Sequence, residues 1–130
     1  MAITADNARQ YPLVAKIDFV ETDLPAASTA YAAMTLPPNA IVTGGYLAVT
    51  TAFDGGADVT LAVSGGGCSL SATDADTGTS HNALTLTGVK QDTGDTVDVT
   101  LGGTIGGTAG IAHLVIEYII DNRESEVQDD

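Results

Sequence analysis

Two Asp-Thr-Gly triplets, at residues 76–78 and 92–94, come nearest to a catalytic motif in this sequence. Aspartic proteases use such triplets to bring two carboxylates together, so that one carries a proton and the other does not. A catalytic triplet of this kind follows a strongly apolar strand, whereas polar residues such as Asp74 and Lys90 precede the triplets here. Because Asp-x-Gly is also a favoured β-turn sequence, we predict two turns rather than a protease site.

Oxygen-bearing side chains at Asp74, Asp76 and Thr79 resemble a fragment of a calcium-binding loop, in which ligands occupy alternate positions. The bidentate glutamate that completes such a loop is missing, because Thr85 stands at the twelfth position. Asp74 and Asp76 are therefore kept as candidates for a metal site that other loop oxygens would have to complete. Beyond this pair, the sequence predicts no metal and no cofactor.

The single cysteine, Cys68, and the two histidines, His81 and His113, are the other side chains with nucleophilic or acid–base potential. A Cys–His pair would have to be assembled by folding and would also need an oxyanion site. We expect Cys68 to act as a small hydrophobic side chain and His113 to pack within the last strand. The glycine-rich residues 65–67 and 102–110 carry no phosphate-loop signature, so we expect tight turns and no enzymatic activity.

The charge of the chain excludes several classes of partner. Its 130 residues carry 17 acidic against four basic side chains, a net charge of −13. Such a chain repels nucleic acid and anionic lipid, so neither is an expected partner. The sequence contains no apolar run of about 18 residues that would span a membrane. Its N-terminus lacks the basic and apolar regions of a secretion signal, so we expect synthesis in a cytoplasm.

Hydrophobic residues alternate with polar ones along most of the chain, which is typical of half-buried strands. About eight strands are predicted, at residues 13–21, 26–36, 40–53, 59–64, 68–72, 82–87, 96–101 and 111–120. The alanines of 26–36 would also suit a helix, but the alternation and the following prolines favour a strand. The longest strand, 40–53, contains Gly44 and Gly45, which predict a bulge or bend.

This pattern predicts an all-β fold, a single antiparallel β-sandwich or jelly-roll-like domain of about eight strands. A small barrel remains an alternative arrangement of the same strands. We divide the chain into an N-terminal arm (residues 1–11), the sandwich (12–121) and an acidic C-terminal tail (122–130). Residues 73–80 are predicted to form a polar loop.

Residues 36–53, Leu-Pro-Pro-Asn-Ala-Ile-Val-Thr-Gly-Gly-Tyr-Leu-Ala-Val-Thr-Thr-Ala-Phe, are followed by Asp-Gly-Gly at 54–56. This segment resembles a pattern in small structural proteins of tailed bacteriophages, and Thr-Ala-Gly at 108–110 before the last strand is also similar. The resemblance implies a small β-sandwich of the virion, of the capsid decoration (cement) type. It implies no catalytic residues, because the shared positions look structural.

The resemblance therefore predicts a non-enzymatic protein that binds the outer surface of a phage capsid and stabilises it. Its expected partner is the major capsid protein or another virion protein, and its expected location is the capsid surface after synthesis in the host cytoplasm. A homo-oligomer is expected, with a trimer as a candidate because shells have local three-fold positions.

The N-terminal arm is the predicted docking element. Ile3, Tyr11 and Leu13 would supply apolar contact and Arg9 a charged one. Attachment by an edge strand that adds to a neighbour's sheet is the other mode we retain.

Two further functions stay open from the sequence. A glycan- or receptor-binding module of a tail or surface fibre would use aromatic platforms, although the chain has no tryptophan and four tyrosines. A small hydrolase would depend on Asp76 or Asp92, and we expect no such activity.

Overall fold

The computed structural model describes residues 11–23, 29–54, 59–76, 78–92, 94–103 and 107–121. Within these ranges the chain forms nine strands and one short 3₁₀ turn, Glu21–Asp23. The strands are β1 (Leu13–Val20), β2 (Ala30–Thr35), β3 (Ala40–Thr51), β4 (Thr60–Ser64), β5 (Cys68–Asp74), β6 (Ser80–Ala83), β7 (Thr85–Leu86), β8 (Thr96–Gly102) and β9 (Ile111–Ile120). The described residues include no helix that is long and apolar enough to cross a membrane.

The strands form two antiparallel sheets, in the orders β1-β9-β3-β6 and β2-β8-β4-β5-β7. The pairs are nested along the chain: β4 pairs with β5, β3 with β6, β2 with β8 and β1 with β9. Nested pairs of this kind arise when one long hairpin is wrapped into two facing sheets, which is the jelly-roll arrangement. The predicted all-β sandwich is confirmed.

The strands β3 and β9 form the centre of the four-stranded sheet, in register from Ala40 opposite Ile120 to Thr51 opposite Ile111. A bulge interrupts this register between Val42 and Gly44, as the glycine pair predicted. At Gly45 a side chain is excluded, because a Cβ atom there would lie 2.6 Å from the carbonyl oxygen of Val115.

The core lies between the sheets and is built from the inward-facing set of each alternating strand. On β3, Leu47 and Val49 are buried, together with Phe53 just after the strand. Other buried members are Phe19 from β1, Leu61 and Val63 from β4, Val97, Val99 and Leu101 from β8, and Ala112, Leu114 and Ile116 from β9. The inward residues of these strands therefore follow the period-2 alternation of the sequence.

Two predictions are wrong: the single strand at 82–87 and the start of the loop at residue 73. The single strand predicted at 82–87 is two short strands, because β6 pairs with β3 in one sheet and β7 pairs with β5 in the other. The chain passes from sheet to sheet at Leu84, which is buried and whose backbone N–H donates to the carbonyl of Gly45 at 3.1 Å. The loop predicted from residue 73 begins later, because Thr73 and Asp74 still pair with β4.

Replacing Leu114 by Ala tests the central strand pair. Leu114 is fully buried opposite Leu47, so the truncation should leave a cavity and lower the free energy of unfolding by about 2–5 kcal/mol. Val89→Ala is the control, because Val89 is exposed and should change stability by less than about 0.5 kcal/mol. Urea unfolding measures both values, and equal effects would contradict the assigned core.

Candidate functional site

Two of the predicted docking residues lie at one edge of the four-stranded sheet. Tyr11 is 62% exposed and precedes β1, which is the edge strand of that sheet. Leu13 begins β1, is half-buried and stands opposite Tyr118 of β9. The other two, Ile3 and Arg9, lie outside the described residues.

The outer face of the four-stranded sheet, which we call the outer face, is rich in apolar and ring side chains. Val14, Val20 and Ile111 are exposed large hydrophobic residues on it, and Val20 stands directly opposite Ile111. Its charges include an ion pair between Lys16 Nζ and Asp18 Oδ1 at 3.2 Å. Glu117, which stands opposite Val14, adds an acidic side chain, so the face combines exposed apolar surface with a few charged residues.

Both histidines of the chain contact one tyrosine on this face. The ring centroid of Tyr46 lies 4.4 Å from that of His81 and 5.8 Å from that of His113. The two histidines come from β6 and β9 and stand on either side of Ala48 in β3. Tyr46 therefore packs against both rings, and His113 packs on the outer face rather than in the core.

The environment of the Cys68 thiol differs from that of a reactive nucleophile. It is buried in the other sheet, and its Sγ donates to the carbonyl oxygen of Gly65 at 3.2 Å. Burial raises the pKa of the Cys68 thiol to about 11, which disfavours the reactive thiolate at neutral pH. These observations agree with the small-hydrophobe role that the sequence predicted.

The two Asp-Thr-Gly triplets lie between strands, the first between β5 and β6 and the second between β7 and β8. The backbone N–H of Asp92 donates to Asp95 Oδ2 at 2.7 Å, and the N–H of Asp95 donates to the carbonyl of Asp92 at 3.3 Å. This closes the predicted turn at the second triplet. At the first triplet Asp76 follows β5 in a bend, and Thr77 lies outside the described residues.

The proposed metal ligands Asp74 and Asp76 flank a buried residue, Ala75. The carbonyl of Ala75 accepts from the N–H of Phe53 at 2.8 Å, so this segment is tied to the end of β3. In the described ranges, no group of three His, Cys, Asp or Glu side chains is placed to hold a metal ion. The predicted pair thus gains no third side-chain ligand there.

A second cluster, which the sequence did not single out, joins the ends of β1 and β3 to the start of β9. We call it the Glu21–Asp54 junction; it consists of Glu21, Phe53, Asp54, Thr108, Ala109 and Gly110. The Oε1 atom of Glu21 accepts from the N–H of Asp54 at 3.0 Å and from that of Gly110 at 3.2 Å. The N–H of Glu21 in turn donates to the carbonyl of Gly110 at 2.8 Å.

Asp54 secures the other half of the junction. Its Oδ1 atom accepts from the N–H groups of Thr108 at 2.7 Å and Ala109 at 3.0 Å. The hydrogen bond from Ala109 is the main cause that lowers the pKa of Asp54, aided by Thr108 and Glu21 and opposed by desolvation. The side chain of Asp54 is therefore held as a carboxylate.

The junction explains why two distant motifs occur in one chain. Residues 53–54 and 108–110 belong to the two short patterns on which the phage resemblance rests, and the fold brings them into direct contact. Gly110 must lack a side chain, because a Cβ atom there would overlap the ring of Phe53. These five residues of the two patterns therefore make structural contacts in the junction.

Glu21 was predicted as the last residue of the first strand, but it is the first residue of the 3₁₀ turn and is buried. The sequence held one signal that could have identified it. Phe19 faces inward, so the alternation places Glu21 at the next inward position, where an acidic residue needs a specific partner.

Comparison with solved structures finds proteins with a similar fold. A chain in the capsid of Ralstonia phage GP4 matches with a TM-score of 0.64 and 18% identity, over 94% of this chain and 92% of that chain. A chain in the capsid asymmetric unit of cyanophage Pam1 matches with a TM-score of 0.65 and 20% identity, over 92% and 94%. No family model and no curated protein matches the sequence. At these identities the likeness establishes a common fold.

Replacing Gly110 by Ala tests the junction. The added Cβ would overlap Phe53 and lie 2.9 Å from Glu21 Oε1, so we expect a loss of about 1–3 kcal/mol in the free energy of unfolding. Gly44→Ala is a matched control, because its Cβ would meet nothing closer than 3.8 Å. Chemical denaturation measures both variants. A Gly110→Ala protein as stable as Gly44→Ala would contradict the described packing.

Proposed function

We propose that this protein is a phage capsid decoration protein. It binds the outer surface of an assembled capsid, stabilises the shell and has no enzymatic activity. The observation that carries the proposal is the match over more than nine-tenths of both chains to proteins in two phage capsid structures. A match that spans both chains concerns the whole molecule rather than one motif, and it agrees with the resemblance in residues 36–56 and 108–110.

Stabilisation by such a protein follows from mass action. A protein that binds the assembled shell but not its separated subunits shifts the equilibrium toward the shell, by an amount that grows with its free concentration. The fold suits this role, because a sandwich held by a packed core can present a rigid sheet face to its partner. We propose the major capsid protein as the partner and a homo-oligomer, with a trimer as the candidate, as the bound form.

The contrast between the two sheets supports a specific docking surface. The five-stranded sheet turns hydroxyl-bearing and acidic side chains outward, such as Thr60, Thr100 and Asp98. The outer face of the four-stranded sheet instead carries Val14, Val20 and the Tyr46 ring cluster. Exposed apolar and ring side chains of this kind are what the centre of a protein–protein interface buries.

The described end of the arm, Tyr11, precedes a strand of this surface. Tyr11 and Leu13 lead directly into β1, whose exposed residues belong to the outer face. Leu13 itself alternates with Val14 and is on the same side of the strand as the buried Phe19. We therefore propose that the arm, through Ile3, Arg9, Tyr11 and Leu13, extends the contact that the outer face makes with the capsid.

The glycan- or receptor-binding alternative has less support. One surface depression, of about 490 Å³, is lined by Ala48, Val49, Thr50, Thr79, Ser80 and His81. His81 supplies the single ring in this lining, so the depression lacks the aromatic platform on which sugars stack. It nevertheless adjoins the outer face, which makes glycan binding a defined outcome of the experiments below.

Deleting residues 2–10 tests the arm. We expect the truncated protein to keep its melting temperature and to lose co-sedimentation with capsids that lack the native protein. Deletion of residues 122–130, an equally long segment at the other terminus, is the control and should leave binding intact. Unchanged binding after the first deletion would exclude the arm, and retention on a glycan array without capsid binding would favour the alternative function.

A charge substitution tests the outer face. Val14→Asp places a carboxylate on exposed apolar surface, so we expect at least a tenfold loss of capsid affinity with little change in stability. Ser69→Asp adds the same charge to the exposed side of the other sheet and should bind normally. Quantitative co-sedimentation gives the affinities, and an equal loss in both variants would indicate a general charge effect instead.

A further inference from the structure

The Glu21–Asp54 junction contains a buried acidic side chain with an unused oxygen. Glu21 is only 3% exposed, and its Oε1 atom accepts two backbone hydrogen bonds. Its Oε2 atom is buried and has no hydrogen-bond partner in the described part of the chain. An unpartnered polar oxygen away from water is costly, so a ligand that binds this atom would stabilise the fold.

Asp54 is hydrogen-bonded to the same Glu21 side chain. The N–H of Asp54 donates to Glu21, and the side chains of the two residues interact. Asp54 Oδ1 holds the N–H groups of Thr108 and Ala109, while the residue as a whole is exposed. The pair therefore combines a buried acidic side chain with an exposed one.

We propose that a calcium ion binds between the carboxylates of Glu21 and Asp54. Calcium prefers oxygen ligands in flexible geometry and readily completes its shell with backbone carbonyls and water, which exposed Asp54 allows. Magnesium demands a more regular octahedron and gives up its water reluctantly, so it fits this open pair less well. The site is separate from Asp74 and Asp76, and the inference is independent of the proposed capsid function.

The ion would join three distant parts of the chain. Glu21 follows β1, Asp54 follows β3, and both already hold the segment that leads into β9. A ligand that binds only this folded arrangement raises thermal stability in proportion to the logarithm of its concentration. With two carboxylates, we expect a dissociation constant of about 1 mM, in the range of weak calcium modules.

Thermal unfolding of the full chain, stripped with EDTA, provides the test. We expect 10 mM CaCl₂ to raise the melting temperature by about 5 °C over NaCl of equal ionic strength, and MgCl₂ to act more weakly. Glu21→Gln keeps the shape of the side chain and Asp54→Asn keeps the Oδ1 acceptor, and both should abolish the calcium shift. Asp18→Asn removes one exposed carboxylate elsewhere and should keep it.

Calorimetric titration of calcium gives a second reading that does not depend on unfolding. It should show one weak site in the wild type and in Asp18→Asn, and none in Asp54→Asn, whose exposed position favours normal folding even where Glu21→Gln does not fold. A wild-type protein that responds equally to CaCl₂ and NaCl would overturn the proposal. So would a calcium response that survives Glu21→Gln but is lost in Asp74→Asn.

Discussion

The antiparallel pairing of β3 with β9 is the contact on which the rest of the structure depends. It aligns Ala40 with Ile120 and Thr51 with Ile111, so it closes loops of about 60 to 80 residues. The remaining strands nest inside or outside this pair, and the second sheet packs on its inward residues. Because closing such long loops costs chain entropy before any packing is gained, the apolar inner face of the pair has to supply much of the compensation.

Two local devices make this pairing compatible with one continuous core. Gly45 lets the backbone of β9 approach at the bulge, where any side chain would collide with the carbonyl of Val115. At the other end, Glu21 and Asp54 accept four backbone N–H groups and connect the ends of β1 and β3 to the entry of β9. The first feature depends on a glycine and the second on two acidic side chains, and both residue types are uncommon inside regular strands.

The sheets differ in what they offer to other molecules. The five-stranded sheet presents threonine, serine and aspartate outward, whereas the four-stranded sheet presents Val14, Ile111 and the rings around Tyr46. The inner residues of both sheets are used up in the core, so a partner can be recognised only through outer faces, edges and connections.

The sequence by itself determined that the chain is all-β, where most strands lie and which residues of a strand share a face. These properties depend on alternation over a few neighbouring residues, and β9 was predicted with its observed bounds. The split at Leu84, the contact of Tyr46 with His81 and His113, and the burial of Glu21 were decided only by the tertiary structure. Each depends on which distant strands become neighbours, and a local pattern carries no information about that choice.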